Sequence, residues 1–152
     1  EVSRDGGKFL ILNESRNLFI YERSSKEAIG LKNNVQEFHL SSDGKKLGLI
    51  SGGQISIIYL EDHNGDTKQN KGDENYLNFS GNMGDLKNFF WMNDASDYFL
   101  ATNEENLIIS EADPRQPLNF STVVTNVKKY FYDKKLHVLK KGGELIEIKL
   151  ER

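Results

Sequence analysis

Short apolar runs alternate with polar turns along the chain: FLIL (9–12), LFIYE (18–22), LGLIS (47–51), ISIIYL (55–60), YFLAT (98–102), LIIS (107–110), LHVL (136–139) and LIEIKL (145–150). Their brevity and their Ile, Val and aromatic content fit strands better than helices. The last run has period two, with Ile146, Ile148 and Leu150 facing one way and Glu147 and Lys149 the other. Asp5-Gly6, Asp43-Gly44, Gly52-Gly53 and Gly142-Gly143 separate such runs, and Asp and Gly tolerate the positive φ of tight hairpin turns. The nearest helical candidate, SSKEAIGLK (24–32), is short and carries Gly30.

The runs repeat as a unit. LNFS occurs twice, at Leu77–Ser80 and Leu118–Ser121. Each is followed by an acidic or amide residue, an apolar residue, two polar residues and an aromatic cluster: Asp85-Leu86-Lys87-Asn88-Phe89-Phe90-Trp91, then Asp94, and Asn126-Val127-Lys128-Lys129-Tyr130-Phe131-Tyr132, then Asp133. Asn34-Val35-Gln36-Glu37-Phe38-His39-Leu40, then Asp43, fits the same frame, and Ser3-Arg4-Asp5-Gly6 matches Ser41-Ser42-Asp43-Gly44. Four copies of a three- or four-stranded antiparallel unit follow, at about 1–33, 34–84, 85–125 and 126–152. The first strand of a unit falls at Val35–Leu40, Leu86–Met92 and Val127–Tyr132; the second at Phe9–Leu12, Leu47–Ser51, Tyr98–Thr102 and Leu136–Leu139. The third falls at Leu18–Glu22, Ile55–Leu60, Leu107–Ser110 and Leu145–Leu150, and a more polar fourth at Ala28–Leu31, Tyr76–Phe79 and Leu118–Val123.

An aromatic strand, a DGK-type turn, an apolar strand and a closing strand resemble β-propeller repeats of the WD40-like or TolB-like kind, as in bacterial surface proteins that can carry PEGA domains. The resemblance covers nearly the whole chain, although no Trp-Asp closes a third strand and no Gly-His opens a repeat. It implies an all-β fold of four-stranded blades, about four in number, forming the C-terminal part of a larger propeller. Such an arc would leave sheet faces open and self-associate. In a blade the first strand is innermost. Phe89, Phe90 and Trp91 are therefore expected in the core between blades, on a strand buried on both faces.

Composition narrows the chemistry. The 152 residues suffice for one domain, and 20 basic against 23 acidic side chains give no overall footprint for nucleic acid or an anionic membrane. No apolar run approaches the ~20 residues of a membrane-spanning helix. Cysteine is absent, which removes disulfides and thiolate metal sites. No G-x-S-x-G elbow, phosphate loop or dinucleotide fingerprint occurs. His39, His63 and His137 fall in a first strand, a loop and a second strand without metal-ligand spacing, one expected half-buried and two exposed. In the longest loop (61–75), Asp62, Asn64, Asp66, Asn70 and Asp73 fall on a calcium-loop frame, but Thr67 stands at its glycine position and Asp73 at its glutamate position. A solvated insertion is the competing reading. Asn13, Asn78 and Asn119 match the glycosylation acceptor pattern, the latter two inside LNFS, where a structural role is expected.

These features point to a non-catalytic scaffold or protein-interaction domain, with no catalytic residues, metal or cofactor, and a protein partner in place of nucleic acid or membrane. The alternative is an accessory propeller of an enzyme such as a peptidase, whose catalytic part lies outside this chain. The resemblance implies an extracytoplasmic or cell-surface location; a cytoplasmic WD40-like module is the alternative.

Overall fold

The computed structural model describes residues 1–3, 6–65, 67–79, 85–92, 97–133 and 135–149. The apolar runs satisfy their backbone groups by antiparallel pairing with near neighbours. The first sheet holds β1 (Lys8–Leu12), β2 (Leu18–Glu22) and β3 (Glu27–Lys32). The second begins with β4 (Val35–Leu40), β5 (Lys46–Ser51) and β6 (Gln54–Tyr59). A two-stranded ribbon follows, β7 (His63–Asn64) with β8 (Lys68–Gln69), before β9 (Glu74–Tyr76) returns beside β6. The third sheet is β10 (Lys87–Trp91), β11 (Tyr98–Thr102), β12 (Asn106–Glu111) and β13 (Phe120–Thr125); the fourth is β14 (Val127–Asp133), β15 (Lys135–Lys140) and β16 (Leu145–Ile148). No helix occurs among the described residues.

The Ser-x-x-Gly match is a real structural equivalence. Gly6 N–H donates to Ser3 O and Gly44 N–H to Ser41 O, while the hydroxyls of Ser3 and Ser41 accept from Lys8 and Lys46 N–H at 2.9 and 2.8 Å. Both glycines have positive φ, 67° and 73°. Arg4 and Asp5 lie outside the described residues. One hydrogen bond between sheets also repeats: Val35, Leu86 and Val127 N–H donate to Arg16, Gly53 and Glu105 O. Each inner strand is thus tied at its start to a hairpin turn of the preceding sheet: β1–β2, β5–β6 and β11–β12.

The core forms three slabs between successive sheets. Leu10, Leu18 and Ile20 meet Leu47, Leu49 and Ile58; Ile55 and Ile57 meet Phe89, Phe99 and Ile108; Leu100 and Leu107 meet Leu136 and Val138. The two LNFS copies pack together in the middle slab, with Leu77 and Leu118 buried and Phe79 edge-on to Phe120 at 5.2 Å. Ser80 lies outside the described residues.

Three expectations are corrected. Strands buried on both faces are the middle ones, β5, β6 and β11, because these have a sheet on each side; β10 alternates, with Phe89 and Trp91 buried and Phe90 38% exposed. The fourth strand of the second sheet is Glu74–Tyr76, earlier than Tyr76–Phe79, because Asp73 O already accepts from Tyr59 N–H and sets the pairing there. All three histidines are partly buried, since each lies in a paired strand.

A groove along the inner strands

Each inner strand opens with the same irregularity. After the buried Val35, Leu86 and Val127, the pairing register shifts: between Val35 and Glu37, between Lys87 and Phe90, and between Val127 and Lys129. A β-bulge re-aims the side chains beside it. Here those are the two polar residues of the repeated frame, Gln36-Glu37, Lys87-Asn88 and Lys128-Lys129. Asn34, Asn88 and Asn126 adopt φ of 53–58°, a conformation asparagine accepts more readily than most residues.

Side chains join adjacent inner strands. Glu37 Oε2 accepts from Asn88 N–H at 2.8 Å, Trp91 Nε1–H donates to His39 O at 2.8 Å, and the Tyr130 hydroxyl donates to Asn88 O. β4, β10 and β14 each end their sheet, so these bonds satisfy backbone groups on otherwise unpaired edges. Burial, and then the facing Glu37 carboxylate, raise the Tyr130 hydroxyl above its ordinary pKa. His39 lies between two carboxylates, Nδ1 at 3.0 Å from Glu1 and Nε2 at 3.1 Å from Glu37. Those two hydrogen bonds raise its pKa to about 9, against an opposing effect of burial, so the ring is charged at neutral pH.

The bulges border an open groove of about 570 Å³ between the third and fourth sheets. Phe90 stands exposed in it, 38%, edge-on to Tyr132 at 6.1 Å, whereas Phe131, 63% exposed, pairs with His137 across the strands and shares that residue's face of the fourth sheet. The β11–β12 turn adds Asn103 and Glu104. Sequence reasoning assigned the aromatic triplet to the core and passed over Lys87, Lys128 and Lys129. Their signal was present, as the polar pair that recurs behind each buried Val or Leu.

The sequence-derived candidates lie elsewhere. A second cavity, about 400 Å³, holds His63 with Lys46, Tyr59, Asp97, Asp113 and Arg115. Its charges largely pair internally: Lys46 with Asp97 at 3.6 Å, Arg115 Nε with Asp113 at 2.7 Å. Burial opposes ionisation of Asp113, but hydrogen bonds from Arg115 hold its pKa below the ordinary value. In the calcium-like loop, Asp62 accepts from Lys71 N–H and Asp73 from Asn70 N–H, whereas Asn64 is exposed in β7. Asp66 lies outside the described residues. No group of three or more potential metal-ligating side chains occurs among the described residues. His137 faces Glu147 at 3.8 Å, on the other side of the fourth sheet from the third. Asn13 Oδ1 accepts from Asn17 N–H and Asn119 donates to Glu111, while Asn78 is exposed.

No protein family and no curated protein matches the chain. Solved structures do. The N-terminal domain of Nup159 superposes with a TM-score of 0.65 at 12% identity, over 98% of this chain and 43% of that one. Periplasmic gluconolactonase PpgL of Pseudomonas aeruginosa gives 0.56 at 15% identity, over 97% and 48%. The complex of fission yeast SREBP–SCAP binding domains gives 0.54 at 12% identity, over 97% and 44%. The fold is that of a β-propeller. This propeller chain spans less than half the length of each of these structures.

Proposed function

We propose that this protein is a non-catalytic propeller scaffold that docks a protein partner in the groove between its third and fourth sheets. The observation that carries this reading is the exposed Phe90, edge-on to Tyr132, beside a floor of hydrogen-bonded polar groups. Aromatic anchors in an open groove suit protein recognition. No Ser, Thr or Lys nucleophile is paired with a base along the groove among the described residues; its one histidine is held charged between carboxylates and is a poor base. A neighbour solved as a complex of two binding domains supports a protein partner in kind. The gluconolactonase shares only the fold, a level at which chemistry does not transfer.

Selection of a random peptide library on the protein, followed by rebinding to a Phe90→Arg variant, tests this. Enriched peptides are expected to lose binding to the variant by about tenfold or more. Peptides that all bind the variant unchanged would place recognition on another surface.

A further inference from the structure

We infer that the groove selects an acidic peptide segment carrying one aromatic or bulky apolar side chain; this deepens the docking reading and rests on it. The decisive observation is local charge. The chain as a whole is net −3, and many of its lysines are matched: Lys8 with Glu61, Lys32 with Glu74, Lys71 with Glu22, Lys135 with Glu147, Lys141 with Glu105. Lys87, Lys128 and Lys129 are different. All three are exposed, line one groove, and have no acidic partner within ion-pair distance among the described residues. The groove's two acids do not cancel them. Glu37 is engaged by His39 and Asn88 N–H, which leaves Glu104 against three ammonium groups.

A ligand complementary to this surface brings negative charge to the lysines and an apolar body to Phe90 and the neighbouring Tyr132. Inorganic anions supply only the first. A nucleic acid supplies both, but it is a long polyanion, and the acidic remainder of the surface repels it beyond the groove. A peptide with clustered Asp and Glu around a Phe, Trp or Leu places its charge only where the lysines stand. The origin of the three lysines strengthens the assignment. Lys87 and Lys128 occupy the same place in successive bulges, and Lys129 lies beside Lys128, so the repeated frame sets the three residues along the border of one groove.

Fluorescence anisotropy with a short labelled Asp/Glu peptide containing one central Phe tests the inference, at about 50 mM salt where screening is weak. Saturable binding is expected, weakened about tenfold or more by Lys128→Glu/Lys129→Glu and unchanged by Lys45→Glu in the β4–β5 turn. Replacing the peptide's Phe by Ala, or Phe90 by Ala, is expected to weaken binding several-fold. Buried Trp91 fluorescence confirms that each variant is folded. Absence of saturable binding up to about 1 mM, equal affinity for the charge-reversed protein, or tighter binding of an oligothymidylate would overturn the inference. If the random library meanwhile yields groove-dependent peptides without acidic residues, the charge assignment falls and the docking reading stands. If it yields no groove-dependent peptide, both fall.

Discussion

Gly48 shows how one residue fixes the seam between the second and third sheets. A Cβ there would come within 2.2 Å of the Phe89 ring, which is stacked on Phe99 at 4.8 Å and edge-on to Trp91 at 4.9 Å. With that ring held by two aromatic neighbours, Gly48→Ala is expected to lose about 1–3 kcal/mol in urea unfolding, partly recovered by adding Phe89→Leu. A midpoint unmoved by Gly48→Ala would mean the ring does not lie over the β5 backbone. His39 carries the pH dependence. Its folded pKa of about 9 lies above the ordinary 6.5, so its stabilising contribution is complete below about pH 6.5 and is lost as pH rises through 9. Glu1 has the opposite sign. Burial opposes its ionisation, but hydrogen bonds from His39 and Leu40 N–H hold its pKa below 4.5, so its contribution is present above that value and fades as pH falls. Unfolding midpoints between pH 6 and 10 should therefore fall in the native protein and flatten in His39→Gln; parallel curves would exclude the carboxylate clamp.

At the scale of elements, the repeated entrance to each inner strand is the organising device. Asn34 and Asn126 take positive φ immediately before a buried Val whose N–H bonds the preceding sheet's turn. Asn126→Val is expected to cost about 1–2 kcal/mol because a β-branched side chain resists that conformation, whereas Asn126→Gly should be close to neutral. The same pair of changes at Asn34 should behave alike. Differential scanning calorimetry of the four variants checks both the sign and the equivalence. Strand positions were legible in the sequence because hairpin turns and apolar runs are local signals: Val35–Leu40, Leu18–Glu22 and Tyr98–Thr102 fall where the pattern puts them. The end of the second sheet was not. Its fourth strand is placed by the hydrogen bonds of Gly72 and Asp73 with Tyr59, which depend on the β7–β8 ribbon that precedes it.

At the scale of the molecule, sheets stacked side by side leave two broad faces uncovered. On the first sheet, Phe9, Ile11, Phe19 and Tyr21 alternate with buried Leu10, Leu18 and Ile20 and so share the opposite face; Leu145 is 70% exposed on the fourth. Apolar faces of this kind drive association. Light scattering should show mass rising with concentration, and Ile11→Lys with Leu145→Lys should suppress the rise; a concentration-independent monomer mass in the unmodified protein would exclude it. The sequence by itself determined the all-β class, the repeated unit, the hairpin turns and the structural use of LNFS, because each depends on residues close together in the chain. Only the tertiary structure decided that Phe90 leaves the core while Phe89 and Trp91 stay in it. It also decided that Lys87, Lys128 and Lys129 share one groove. The physical reason is that facing and charge neighbourhood depend on which sheet packs against which, and on bulges that turn a polar pair toward open space. Neither is written in local periodicity.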